Sequence, residues 1–477
     1  MSTYEPASGT DCPNCARLQR ELGAALARIA VLEAQVKELI EQLKRNSSNS
    51  STPPSANPLN APRPVVKPPT GRKRGGQTGH RGHHRTRLPQ TRVNKVVIHA
   101  PQTCTSCHEP LPSESGPDDH EVGWHQVAEL PVMVAILTEH QAHTRTCPKC
   151  GLINCGTIPA KVRSHVLGPR LTATMSYLSG RFHLGKRSVK EFVEAVFEVP
   201  VSLGMVITSE RETSASLVAA HDQARDEVRD APVKNADETG WKQAGAKRWL
   251  WTAVTTTVAF FVIHVHRGSR GLQALLGEAI AGIIISDRWG VYNRLPLEQR
   301  QVCWAHLKRD FQKCKERGGE GKVVGDLGLL IEEDVFTLWW EFRDGLIDRE
   351  NFARQLEPLV EEFRIGLERG SGCADSKVAT FCDNLLTLYP ALWLFAGVDG
   401  VEPTNNNAER VLRMGVLRRK NAFGCASESG CRFVERILTV VQTLRLQKRS
   451  VLDFLVESVI AHREGTLAPA LIVPKLD

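Results

Sequence analysis

The chain has no run of about 18 apolar residues, the length that would suggest a membrane-spanning helix. Its N-terminus has no apolar leader. Both absences imply a soluble, cytoplasmic protein with no membrane partner. Acidic residues are missing altogether from Gln42 to His108, where 12 Lys or Arg stand. Cysteine is present, but its count of 13 is odd and several fall in CxxC pairs. That usage points to metal ligands and free thiols more than to a disulfide framework. At 477 residues, 41% of them hydrophobic, the chain is too long for one ordinary domain and can fill three or four.

Charge is unevenly spread. The net value is +8, yet residues 315–399 carry 17 acidic against 9 basic residues, and residues 401–450 carry 4 against 10. Two basic blocks on one chain suit a polyanion such as DNA. A basic tail that only aids solubility is the simpler alternative.

Along the chain, residues 1–45 hold an N-terminal helix. Leu18, Leu22, Ala25, Ile29, Leu32, Val36, Leu39 and Leu43 follow 4-3 spacing. Ile or Val at a and Leu at d favour a parallel two-stranded coiled coil, so a homo-oligomer of at least two chains is expected. Residues 46–92, rich in Asn, Ser, Pro and Gly, read as a disordered basic linker. Its Arg72, Lys73 and Arg74 are candidate DNA contacts. Residues 93–160 read as short strands around two CxxC pairs, and 161–230 as a helical DNA-binding region. There Val199-Pro200-Val201 interrupts two helices and Ser202 is placed to cap the second. Residues 231–314 alternate strands and helices. Residues 315–399 form an acidic helical insertion with Trp339, Trp340 and Trp393 as expected core. Residues 400–477 are helical again. The class is thus multidomain α+β.

Three acids sit where an α/β fold collects function. Asp237 closes a short strand, Asp287 follows the apolar strand Ile283-Ile284-Ile285, and Glu409 lies in the first turns of a helix. Each alone reads more simply as a turn or cap carboxylate. Three converging carboxylates repel one another unless cations balance them. Hard oxygen ligands suit Mg²⁺, or Mn²⁺. Arg410 and Arg413 share the helix with Glu409, and Arg418, Arg419 and Lys420 follow. These five could contact DNA phosphates, or be solvated helix positions.

Cys104-Thr105-Ser106-Cys107 and Cys147-Pro148-Lys149-Cys150 could together make a closed, structural Zn²⁺ site of four thiolates. The 39 residues between them exceed the usual gap and imply an inserted hairpin. Unrelated surface thiols are the alternative. Whether Cys12 and Cys15 bind metal stays open.

The words ADETGW (236–241), SDRWGVYN (286–293), CWAHLKRDF (303–311) and NNNAERVLRMGVLRRKNAFG (405–424) resemble the insertion-sequence-66 family of bacterial transposases. The leading helix, the Asn/Ser linker, the GRKRGGQTGHRGHH block and the CxxC pairs recur there in this order. The resemblance implies a ribonuclease-H-like α/β core interrupted by the helical insertion. It implies that Asp237, Asp287 and Glu409 form a catalytic triad on two metal ions that cuts and joins DNA at element ends. Accessory proteins encoded by the same element are a further implied partner. Where many members carry an Arg-rich word after the first helix, this chain has its Asn/Ser run. Two other readings use the same residues: a zinc-containing DNA-binding protein with a vestigial core, and a nuclease of the same fold without strand transfer.

Overall fold

A computed structural model describes residues 13–44, 46, 50, 51 and 86–472. Arg72, Lys73, Arg74, Cys12 and most of the linker lie outside these residues.

Helix α1 (Pro13–Lys44) runs unbroken. Its 4-3 seam is uncovered by the rest of the described chain: Ile29, Leu32, Val36 and Leu39 are all exposed. The expected strands around the cysteines form only at the second pair, where β1 (Thr144–Thr146) and β2 (Ile153–Cys155) make an antiparallel hairpin. At the first pair there is a single Thr103–Pro110 bridge. Between the pairs, apolar side chains such as Val122 and Ile136 stay exposed. Residues 111–143 form no strand, so the hairpin expected between the pairs is not seen among the described residues.

A short α2 (Ala160–Arg163) leads to four helices: α3 (Pro169–Phe182), α4 (Lys186–Phe197), α5 (Leu203–Ser216) and α6 (Val218–Asp230). Met175, Val189, Val193 and Val206 form a small core where α3, α4 and α5 meet. The break between α4 and α5 falls where the sequence places it. Glu198 turns left-handed at φ 56°, and Ser202 Oγ accepts from the Met205 N–H at 3.2 Å.

One five-stranded sheet follows. It comprises β3 (Val233–Gln243), β4 (Ala246–Val254), β5 (Ala259–His264), β6 (Ile283–Ser286) and β7 (Arg300–Val302), with α7 (Ser269–Leu276) between β5 and β6. The order is β5-β4-β3-β6-β7. The first three strands are antiparallel, and β6 and β7 run parallel to β3. Ala244 (φ 49°) and Gly245 (φ 80°) turn β3 into β4, the two-residue hairpin geometry that needs positive φ at both positions.

After β7 come α8 (Trp304–Glu316), α9 (Gly319–Arg343), α10 (Arg349–Ser371), α11 (Ser376–Thr387) and α12 (Leu394–Gly397). Phe311, Phe352, Phe363, Leu367 and Phe395 build a second core there. Helix α8, read from sequence as part of the first core segment, packs into this second core through Trp304, Leu307 and Phe311. Trp339 and Trp393 belong to it as expected, but Trp340 is 48% exposed. Consecutive helix positions point about 100° apart, so burying Trp339 turns Trp340 outward, beside Arg343.

The chain then returns to the sheet as α13 (Asn406–Ala422), α14 (Glu428–Leu446) and α15 (Val451–Glu464). Helix α14 lies along the edge strand β5. Side chains four residues apart, Glu435, Thr439 and Thr443, accept the outward N–H groups of Ile263 (2.6 Å), Phe261 (3.0 Å) and Ala259 (3.1 Å). The edge is thereby closed by side chains instead of another strand.

Candidate active site

The register places two of the three acids level. In the parallel pair, Asn235 of β3 lies opposite Ile285 of β6. Asp237 and Asp287 each stand two residues beyond those partners, Asp237 still within β3 and Asp287 just past the end of β6. Asp237 does not close its strand, as the sequence reading had it, because β3 continues to Gln243 against β4. The parallel ladder with β6 does end at Asn235, so on that side Asp237 occupies a strand end all the same. Backbone donors orient both carboxylates. The Glu238 N–H reaches Asp237 Oδ1 at 2.8 Å, and the Trp289 N–H reaches Asp287 Oδ1 at 2.9 Å.

The third acid arrives on α13. The Trp304 N–H donates to Pro403 O (2.9 Å) and the Asn405 N–H to Cys303 Sγ (3.3 Å), which fastens the start of α13 beside the end of β7. Glu409 sits in the first turn with its N–H on Asn405 O. His306, at the start of α8, brings Nε2 to 3.4 Å from Glu409 Oε1. Burial lowers the His306 pKa, which favours the neutral imidazole; Arg309 acts in the same sense, while Glu409 and Asp287 oppose it.

Electrostatics ties the acids together. The carboxyl of Asp237 is raised well above the ordinary carboxylate range. Burial is the largest cause, followed by repulsion from Glu238, with Asp287 and Glu409 adding to it and the Glu238 N–H opposing. Buried polar atoms near these residues have no partner among the described residues: Asn235 Oδ1, both amide atoms of Asn405, and His306 Nδ1. Such atoms are costly unless an ion or ordered water satisfies them. Hard oxygen donors beside unsatisfied amides suit Mg²⁺ or Mn²⁺ in kind. Even so, among the described residues no three His, Cys, Asp or Glu side chains close into a metal cage.

A fourth carboxylate escaped the sequence reading. Glu238 accepts from Arg267 Nε at 2.9 Å and from the Tyr292 hydroxyl at 3.2 Å. Burial raises its pKa first, then Asp287, against the pull of Arg267. The signal lay in the sequence as Glu238 next to Asp237, but its partners are 29 and 54 residues away.

The five cations of α13 divide. Arg410, Arg413 and Lys420 are exposed and fall on one stripe of the helix. Arg418 is only 8% exposed; it donates to Ser179 O and lies 5.5 Å over Phe433. Arg419 is half-buried and donates to Thr239 Oγ1 and Gly240 O, pinning α13 to β3. Both side chains thus hold α13 to the rest of the fold, and the same helical turn that exposes Lys420 points Arg418 inward.

Each cysteine pair forms a tight loop. The His108 N–H bonds to Cys104 O and the Gly151 N–H to Cys147 O, both at 2.9 Å. Backbone donors aim at the first sulfur of each loop. The N–H groups of Cys107 and Ser106 lower the Cys104 thiol pKa, and those of Cys150 and Lys149 lower that of Cys147. The two pairs are not gathered into one cage.

Compared with known proteins, the chain is similar to two uncharacterized proteins of Sinorhizobium fredii (strain NBRC 101917 / NGR234). It is 24% identical to y4hP over 388 residues, covering 74% of this chain and 69% of that protein. It is 23% identical to y4qI over 247 residues, covering 46% and 44%. A family of unknown function, DUF6444, matches residues 11–86. The family model of the transposase IS66 family matches residues 164–432, more than half of the chain, a span that includes Asp237, Glu238, Asp287, His306 and Glu409 but not the cysteine loops. The chain therefore belongs to the transposase IS66 family.

Proposed function

We propose that this transposase cuts DNA at the ends of its element and joins them to target DNA, with Asp237, Asp287 and Glu409 as the catalytic carboxylates. The observation that carries this is the matched placement of Asp237 in β3 and Asp287 just past the end of its parallel neighbour β6, with the helix bearing Glu409 fastened beside them. The strand order, three antiparallel then two parallel, supports a ribonuclease-H-like core.

Bound at these carboxylates, Mg²⁺ or Mn²⁺ would supply Lewis acidity to the attacking and leaving oxygens. Asp237 and Asp287, aimed by the backbone N–H groups of Glu238 and Trp289, and Glu409 on α13 are the residues to hold it. Water attacks the phosphodiester at the element end, and the bond to the 3′ oxygen breaks, freeing a 3′-hydroxyl. That hydroxyl attacks a target phosphodiester and releases a target 3′-hydroxyl in turn. The protein's part is positioning and charge neutralisation. Arg410, Arg413 and Lys420, with Arg72, Lys73 and Arg74 of the linker, are the cations for backbone phosphates. Cys104, Cys107, Cys147 and Cys150 would hold a structural Zn²⁺, which requires the two loops to meet. Helix α1, its seam uncovered, would pair with a second copy of the chain.

Asp287→Asn tests the reading, because it removes one charge and keeps the shape. Thermal melting and DNA binding are expected to survive, while Mg²⁺-dependent cleavage and joining of labelled ends are lost. Wild-type cleavage by the variant would place the active site elsewhere. Cleavage without joining in the unmodified protein would leave a nuclease.

A further inference from the structure

Trp289 is 40% exposed although it stands two residues from Asp287. One face of its ring is covered by the Arg267 guanidinium, 4.1 Å from the ring centre, which also lies 4.8 Å over Trp249. Arg267 is fixed in turn by Glu238 at 2.9 Å. The indole is thus braced against β3 through Arg267 and Glu238, the backbone N–H of the same residue is held by Asp287, and Trp289 lines a cleft. Arg288, Arg309 and Lys313 line that cleft beside Asp287 and His306, giving three cations against two carboxylates, Asp287 and Asp310. Asp310 is shared between Arg288 (3.0 Å) and Lys313 (2.9 Å).

A single exposed aromatic is ordinary on a protein surface. A rigidly held one in a cationic cleft is the combination that holds unpaired nucleic acid, with bases on the ring and phosphates on the cations. A paired duplex hides its base faces in the stack, so only an unstacked nucleotide can use such a platform. We propose that a nucleotide next to the reacting phosphate leaves the duplex and stacks its base on Trp289, its phosphates meeting Arg288, Arg309 and Lys313. The proposal rests on the transposase reading of the same cleft.

The test uses the full-length protein with Ca²⁺ in place of Mg²⁺, so that binding is measured without cleavage. Two probes are compared: a blunt duplex, and the same duplex with its terminal 3′ nucleotides unpaired and carrying 5-iododeoxyuridine. The forked probe is expected to bind about 10-fold more tightly, as one stacked base would give, and to photo-cross-link to Trp289. Trp289→Ala should abolish the preference between the two probes, and Trp289→Phe should keep part of it. Equal affinity of the unmodified protein for both probes, or a fork preference that survives Trp289→Ala, overturns the proposal. Because no cleavage is needed, failure here is distinct from failure of the catalytic reading, which shows as absent Mg²⁺-dependent cleavage.

Discussion

Glu238 shows how one side chain can hold a site together without belonging to the expected triad. Its side chain is 2% exposed, so its charge depends on Arg267 and the Tyr292 hydroxyl. Arg267→Ala would leave that carboxylate half-paired and cost about 2 kcal/mol, read by chemical denaturation. Glu238→Gln keeps the shape and removes the charge, so it should cost less than Arg267→Ala. A larger loss for Glu238→Gln would show that the buried charge of Glu238 itself supports the strand. Glycine at 271 is a second residue-scale constraint. A Cβ there would meet His266 O at 2.4 Å and Trp251 Nε1 at 2.6 Å, both rigid neighbours. Gly271→Ala should therefore lower the melting temperature by several degrees.

Among the elements, the α14–β5 seam carries the clearest consequence. Thr439 Oγ1 is the acceptor for a buried N–H of the edge strand. Thr439→Val is nearly isosteric and leaves that donor unpaired, a loss of about 1–3 kcal/mol. Thr439→Ser, which keeps the acceptor, should recover most of it in the same melting experiment. At the same edge of β5, His221 of α6 meets Phe261 O at 3.0 Å, and burial lowers its pKa from 6.5 to about 4. A depressed folded-state value means that stability is fully present above pH 6.5 and is lost as the pH falls from there toward 4. The contribution is on the order of 3 kcal/mol. His221→Gln should flatten that part of the acid limb in melting curves taken across the window. An unchanged acid limb would mean that His221 is protonated at no cost in the folded state.

At the scale of the molecule, the expectations concern assembly. Zinc held by four thiolates predicts that Cys147→Ser lowers the metal content of purified protein, measured by elemental analysis. Unchanged zinc would remove Cys147 from the ligand set. Deleting residues 63–92 removes nine Lys or Arg and no acid. DNA binding should weaken at every sequence and its salt dependence flatten, because fewer phosphate counterions are released. A changed sequence preference with an intact salt slope would mean instead that the arm reads bases.

Local pattern carried much of this protein. The 4-3 spacing of α1, the Val199-Pro200-Val201 break, the apolar run before Asp287 and the helix start that carries Glu409 are all statements about near neighbours in the chain. Near neighbours set backbone conformation, so these features could be read directly. What depends on distant residues could not. That Asp237 lies mid-strand follows from β4 pairing beyond the point where β6 stops. That Arg418 and Arg419 turn inward follows from Ser179, Thr239 and Gly240 waiting there. The bracing of Trp289 by Arg267 and Glu238 joins three separate stretches of chain through one guanidinium. Each depends on register and packing across long sequence separations, where burial and pairing, not local propensity, set the free energy.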